Sequence, residues 1–528
     1  MKRARSPARG LGPLFHFACI VIAIRAGGCA RLPDNSQRSE SFHLTGTSET
    51  RLGKAFSPLA TGHPGQSGMY SITSGIDAMA ARLTLTDLAE RSIDVQYYEW
   101  YPDDAGRLLA EHMIAAADRG VRVRILMDDF GSTWKDASLL ALASHPSVEV
   151  RLFNPLVLRD NRLLGALLDF PRSTRRMHNK SFTADNQIAI IGGRNIGDSY
   201  FQASARLDMA DLDALVIGPT VDQLSGLFDA FWNSPGSFPI GTLSKRSLSP
   251  DEIAEFNARI RSDAEQMNQR PVGRAYAVSP LVEEIREGDI GFFWGNTLFL
   301  KCDPQKAFAR SDDPAHSTFP GLKACIDDVH HEVLLISPYF VPARRAMDYL
   351  RQLRQRGLRV RILTNSMRAT DVFLVFAFYS KYRRELLDMG AELYEFKPDA
   401  EHRPPAELDP SLRACLHAKV LTFDNKSIYV GSTNLDPRSV NLNTEAGVIF
   451  DCTDMTADLS NLLDERLLRI AYRVEAVPAK TLFGTEMRLN WVTLENGSLV
   501  RMTDEPGRTF WTNLRIFFLR MLPIEGQL

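Results

Sequence analysis

Short runs of alternating or continuous apolar residues, separated by helical stretches, follow the same order twice along this chain. Residues 93–98 and 333–339 are apolar or aromatic runs that read as strands, the second holding Pro338. Each leads into a helical pattern, residues 106–118 and 343–355. Each helix runs into nearly the same string, Arg119-Gly120-Val121-Arg122-Val123-Arg124-Ile125-Leu126 and Arg356-Gly357-Leu358-Arg359-Val360-Arg361-Ile362-Leu363. The glycine suits a helix C-terminal cap, and the alternation after it suits a strand. Further strand patterns match at residues 148–153 and 391–396, and again at 213–217 and 445–449. Strand, helix, strand, helix, strand is an α/β unit, and this chain uses it twice.

Inside each copy stands a string of polar residues that packing does not require. His178-Asn179-Lys180-Ser181-Phe182-Thr183-Ala184-Asp185 and His417-Ala418-Lys419-Val420-Leu421-Thr422-Phe423-Asp424 both read H-x-K-x-x-x-x-D. Each is followed by a small pair and an asparagine: Gly192-Gly193 with Asn195, and Gly431-Ser432 with Asn434. In an extended segment, residues i and i+2 share a face, so residues 177–182 as a strand put His178 and Lys180 side by side. An imidazole beside an ammonium suits a phosphate: the ring attacks phosphorus or moves a proton, and the ammonium offsets oxygen charge. Each half has one such pair, so a complete set requires the halves to face each other. Asp213 and Glu445 each open an apolar strand and are the candidates for holding the far nitrogen of each ring. Asp185 and Asp424 close the strings, at a distance that suits structural pairing rather than chemistry.

These paired strings resemble the phospholipase D superfamily. Gln96-Tyr97-Tyr98, Arg175 to Phe182, Gly192 to Asp198, Asp211-Leu212-Asp213 and the Leu522-Pro523-Ile524-Glu525 run narrow the resemblance to its bacterial cardiolipin synthase C-type branch. The resemblance runs from about His63 to the last residue. It implies an α/β fold of two pseudo-two-fold-related phospholipase D-like domains, each a mixed β-sheet flanked by helices, with one shared active site at their interface. It also implies phosphodiester chemistry through a phosphohistidine, with no cofactor and no metal. His178 is then the nucleophile and His417 the acid/base. Lys180, Lys419, Asn195 and Asn434 would donate to the phosphoryl oxygens. One stretch departs from the branch. After Thr370-Asp371-Val372 a His-Ala-Gly-Tyr run is expected, and Phe376-Ala377-Phe378-Tyr379 stands there. If that face borders the substrate pocket, two added rings would narrow it.

Composition bounds the partners. Across 528 residues the formal charge is −2, so no overall basic field recruits nucleic acid. The six cysteines form no C-x-x-C pairs, and no zinc-binding H-E-x-x-H occurs. Lys2, Arg3, Arg5 and Arg9 precede an apolar run of roughly fourteen residues, short of the ~20 that span a bilayer. Ala26-Gly27-Gly28-Cys29 follows, which makes Cys29 a candidate for lipid attachment.

The expected organisation is a lipoprotein-like targeting segment over 1–29 and a flexible tether over 30–66. A first domain over 67–240, a helical connector over 241–290 and a second domain over 291–528 with an amphipathic C-terminal segment follow. The aromatic-basic stretches at residues 372–384 and 510–521 fit either plain core or an element lying on a lipid surface. The expected place is the bacterial cell envelope, at a membrane, with a phospholipid substrate; the sequence fixes no oligomeric state. The leading reading is a phosphatidyltransferase making cardiolipin from phosphatidylglycerol or phosphatidylethanolamine. A hydrolytic phospholipase D, a nuclease and an inactive membrane scaffold are the alternatives.

Overall fold

The computed structural model describes residues 31–159, 161–308, 316–399, 413–481 and 484–528. The targeting segment and Cys29 lie outside the described residues. The first half contributes β1 (Ser67–Ile72), β2 (Ser92–Tyr97), β3 (Arg122–Asp128), β4 (Val148–Phe153), β5 (Ser181–Ala184), β6 (Ile188–Gly192), β7 (Leu207–Ala210), β8 (Asp213–Ile217) and β9 (Ser237–Pro239). The second contributes β10 (Phe293–Lys301), β11 (Glu332–Ile336), β12 (Arg359–Asn365), β13 (Glu392–Phe396), β14 (Arg413–Leu416), β15 (Val420–Phe423), β16 (Ser427–Gly431) and β17 (Ala446–Asp451). It ends in β18 (Ala471–Thr481), β19 (Gly484–Glu495) and β20 (Ser498–Met502).

In space the first half runs β4-β3-β2-β5-β6-β8-β1, and the second repeats it as β13-β12-β11-β15-β16-β17-β10. The two copies join edge to edge where β1 pairs antiparallel with β10. In each half the three leading strands are parallel, which demands helical crossovers, and the expected helices supply them. They run Asp104–Asp118 and Ala343–Gln355. Gly120 and Gly357 follow them at φ +93° and +88°, left-handed values that cost a residue with a Cβ.

The alternation along each strand sorts side chains between two cores. In β11, Val333 and Leu335 meet the helices of their own half. Leu334 and Ile336 face a separate cluster that also holds Met69, Ile191 and Val216 of the first half with Val430, Val448 and Phe450 of the second. Burying each such side chain contributes about 1.5–3 kcal/mol, so the halves are held face to face by a shared apolar core.

Segment 31–66 is not a tether. Residues 51–61 form a helix that buries Leu52 and Phe56. Upstream, Arg124 and Arg151 donate to the carbonyls of Ser41 and Ser39, and the His43 amide donates to Asp229. The segment is rich in Ser, Thr, Gly and Pro, a composition that reads as flexible, but the buried arginines of β3 and β4 need acceptors, and its carbonyls provide them. The connector is helical, led by Pro250–Gln269 with a Ser249/Glu252 capping box. Its Phe256, Ile260 and Met267 join the first half's core, so it is an added layer on that half.

Candidate active site

Neither H-x-K string lies within a strand. His178 to Lys180 lead into β5, and His417 to Lys419 bridge β14 and β15. The expected extended segment over 177–182 therefore starts late, because its lead-in pairs with the other half. The His178 amide donates to the Thr444 carbonyl at 2.9 Å, and the His417 amide to the Ala210 carbonyl at 2.7 Å. β7 and β14, one from each half, pair in parallel and fix the second of these contacts. Each ammonium folds back onto its own string: Lys180 Nζ donates to the His178 carbonyl at 2.7 Å, and Lys419 Nζ to the His417 carbonyl. All four side chains are buried.

The carboxylates cross between the halves. Glu445 Oε2 lies 2.9 Å from His178 Nδ1 and also accepts from Ser432 Oγ. At His417 the acid is Asp211, with Oδ2 2.5 Å from Nδ1. Asp213, expected in that role, instead accepts from Arg82 at 2.8 Å and lies 3.5 Å from Arg194. The register shows why. Gly192 pairs with Asp213, whereas Gly431 pairs with Gly447, so the counterpart of Glu445 is Asp211. Matching the two apolar strands by eye slips the acid by two residues, which leaves it on the same face.

The small pairs let these acid-bearing strands approach. A Cβ at Gly193 would lie 2.3 Å from Asp211 Oδ1, and one at Gly192 would lie 2.2 Å from Asp213 Oδ1. Asp185 and Asp424 are far from this chemistry. Asp185 accepts the amides of Glu90, Arg91 and Ser92, and Asp424 those of His330, His331 and Glu332. Each ties the end of its H-x-K strand to the loop before the neighbouring strand.

The asparagines are not equivalent. Asn195 Nδ2 donates to Glu99 and to the Tyr200 hydroxyl, both at 2.9 Å. Asn434 Oδ1 is buried without a partner among the described residues.

Residues not assigned from sequence complete the walls. The Tyr98 ring is tilted by 60° against His178 at 5.2 Å between ring centroids, with Lys180 Nζ 5.5 Å from its ring. Tyr200 meets His417 edge-on at 5.2 Å. Tyr98 belongs to the Gln96-Tyr97-Tyr98 run, but spacing alone does not aim it at His178. Phe376 does not narrow a substrate pocket. It packs in the second half's core with the Arg383 guanidinium 4.9 Å from its ring, and Phe378 is buried in a separate cluster with Val341 and Val375.

Burial dominates the electrostatics. It pushes the His178 imidazole down to about 4 against the pull of Glu445, with Lys180 and Lys419 adding repulsion. It pushes the Lys180 ammonium down to about 7. His417 and Lys419 are also lowered, first by burial. Asp211 is held well below the usual carboxylate range: burial would raise it, but the charges of His417 and Lys419 outweigh that. Lys419 acts on both His178 and Lys180, so residues of both halves share one field. With Nδ1–H donated to Glu445, neutral His178 presents the lone pair of Nε2.

A pH profile follows. His178 must be neutral, a state reached as pH rises past about 4, and Lys180 must be charged, a state lost as pH rises past about 7. kcat/KM on a monomeric phosphodiester is expected to peak between these limits. Lys180→Arg, which holds its charge, should leave in whatever activity it keeps only the alkaline fall set by loss of the His417 proton that the departing alkoxide needs. A flat profile from pH 4 to 9 would contradict these assignments.

Two imidazoles, each braced by an acid from the opposite half, require both copies of a duplicated fold to make one reaction centre. That arrangement defines an enzyme of the phospholipase D superfamily. A family model described as "Cardiolipin synthase, PLD-like domain" matches residues 83–232 and 322–467, once in each half. The chain belongs to this cardiolipin synthase family of phospholipase D-like proteins. It is 37% identical over 485 residues to cardiolipin synthase C of Escherichia coli, covering 90% of this chain and 100% of that one. It is 30% identical over 480 residues to an uncharacterized protein of Helicobacter pylori, covering 90% of this chain and 92% of the relative. Among solved structures, the phosphatidylserine synthase of Haemophilus influenzae shares the fold with a TM-score of 0.52 at 14% identity, over 80% of this chain and 92% of that one.

Proposed function

We propose that this enzyme moves a phosphatidyl group between phospholipids and forms cardiolipin. The observation that carries the reading is the crossed bracing of His178 by Glu445 and of His417 by Asp211. His178 Nε2 attacks the phosphorus of phosphatidylglycerol or phosphatidylethanolamine. The P–N bond forms as the P–O bond to the head group breaks, and His417, as imidazolium, gives its proton to the departing alkoxide. His417 then takes the proton from the free hydroxyl of a second phosphatidylglycerol, whose oxygen attacks phosphorus and releases His178. Lys180, Lys419 and Asn434 supply positive charge and amide hydrogens to the phosphoryl oxygens as charge builds there. The anionic phosphodiester itself favours the protonated form of His417.

The test is product analysis. Purified protein given phosphatidylglycerol alone, then with phosphatidylethanolamine added, should yield cardiolipin with release of glycerol or ethanolamine. Phosphatidic acid as the sole product would mean that water is the acceptor and would reject the transferase reading.

Membrane contact is proposed on the helix Phe510–Arg520. A Thr509/Thr512 capping box starts it, and Ile516 is its buried residue. Phe510 and Trp511 are 71% and 73% exposed, and Phe517, Phe518 and Met521 are exposed beside them. Arg515 and Arg520 anchor the helix inward, over the Phe373 ring and to the Ala377 carbonyl. An exposed aromatic face of this kind suits the boundary between head groups and acyl chains. No helix among the described residues is long and apolar enough to cross a membrane. Replacing Phe510, Trp511 and Phe518 with Ser is expected to weaken vesicle binding at least tenfold while preserving turnover of monomeric lipid. Unchanged sedimentation with vesicles would place the contact elsewhere. Residence in the cell envelope, with Cys29 as a lipid-attachment site, is part of the same proposal.

A further inference from the structure

The second half contains a cavity of about 610 Å³ between its sheet and the helix Ala343–Gln355. Its apolar depth is made by Leu322, Leu335, Leu350 and Leu353, with Phe340 along one side. The volume falls in the ordinary ligand range of about 300–1,000 Å³.

The duplication puts a smaller side chain, Phe340, on the cavity wall. Ile93 pairs with Val123 and Val333 with Val360, equivalent positions of the repeated string, so Tyr97 corresponds to Ser337. The bridges Trp100 to Ile196 and Phe340 to Leu435 likewise match Trp100 with Phe340. In the first half the Tyr97 and Trp100 rings meet edge to face at 6.4 Å, and Arg82 packs in to donate to the Tyr97 hydroxyl. In the second half a hydroxymethyl and a smaller ring replace them. The Ser337 hydroxyl turns to the chain at Tyr339 and Leu435, filling none of the volume that Tyr97 fills.

One end of the cavity is polar and holds Asn434, the residue assigned above to the phosphoryl oxygens. Asn434 lines it, is 3% exposed and has an Oδ1 with no hydrogen-bond partner among the described residues. Its counterpart Asn195 has committed its amide to Glu99 and Tyr200. The buried Lys306 ammonium lines the cavity too and donates to the Ser439 carbonyl at 3.0 Å. An apolar bore that starts at a carboxamide and an ammonium matches a phospholipid, with the Asn434 NH2 group as donor to the phosphate and a hydrocarbon chain beyond it.

We propose that this cavity holds one acyl chain of the donor phospholipid, resting on the reading of the reaction centre given above. The chain belongs to the phosphatidyl group itself, so it stays seated while the head group leaves and the acceptor arrives. Moving a chain from bilayer to cavity exchanges one apolar setting for another. The cavity therefore positions a membrane lipid, and its contribution to affinity is read with monomeric lipids in water.

The test uses Ala346→Phe, which intrudes from the cavity wall, with Ala346→Leu as the smaller intrusion if the Phe variant loses its unfolding transition. Phosphatidylglycerols with chains of four, six and eight carbons are compared below their micelle thresholds. In the natural protein, kcat/KM should climb by up to about fourfold for each methylene that enters the cavity. In the variant the climb should stop at a shorter chain, with the four-carbon substrate unaffected. The same climb in both proteins would overturn the proposal.

A second arm needs no turnover. In a His178→Ala background, a lysophosphatidylglycerol with a 12-carbon chain should bind at least tenfold more weakly once Ala346→Phe is added. Equal affinity would overturn the proposal. Chain-dependent binding, together with a natural protein that turns phosphatidylglycerol into phosphatidic acid and no cardiolipin, would keep the cavity and reject the transferase reading.

Discussion

His178→Ala and His417→Ala are each expected to remove transfer, by on the order of 10⁴-fold or more, with the double variant no slower than either single one. The rings act in one cycle: without His178 there is no covalent carrier, and without His417 the head group leaves unprotonated. Fold should survive, because the backbone contacts that join the halves at these positions use the histidine amides, which alanine keeps. Rates and thermal unfolding measured on the same preparations check both parts. A single variant that keeps near-natural turnover would mean that one half suffices.

The second large effect separates Asp211 from Asp213. Asp211→Asn and Glu445→Gln replace the acids that hold His417 and His178, and each should lower kcat by about 10³- to 10⁴-fold with little change in melting temperature. Asp213→Asn should do the reverse. It breaks a buried pair with Arg82, at a cost of about 3–5 kcal/mol in stability, while the surviving folded fraction turns over normally. Chemical denaturation alongside single-turnover rates distinguishes the two outcomes. Loss of chemistry in Asp213→Asn with unaltered stability would reverse the assignment.

The duplicated fold was legible because its signals are local. A helix ending at Gly120 or Gly357 and a strand alternating after it are written in neighbouring residues. The histidines and lysines were legible because polar groups recur there twice with no packing reason. What could not be read was anything set by register between strands. Asp211 and Asp213 share a face and differ only in which stands opposite the glycine pair, a fact fixed by pairing with β6. Nor did sequence show that the acids cross over, since Glu445 and His178 are 267 residues apart. The stretch over 31–66 was misread because composition reports flexibility of an isolated chain, whereas Arg124 and Arg151 supply partners from elsewhere. Phe376 and the helix at 510–520 present equally apolar sequences; the first lies under Arg383 in the core, and the second faces outward.

The account rests on a single reaction centre in which His178 carries the phosphatidyl group and His417 moves protons. Enzyme mixed with short-chain phosphatidylglycerol for times from milliseconds to minutes, quenched in neutral denaturant and digested for mass spectrometry, tests this directly. The prediction is a phosphatidyl adduct on the peptide containing His178 in the natural protein, lost in His178→Ala and still formed, more slowly, in His417→Ala. An adduct on His417, or transfer without an adduct on either ring, would contradict it.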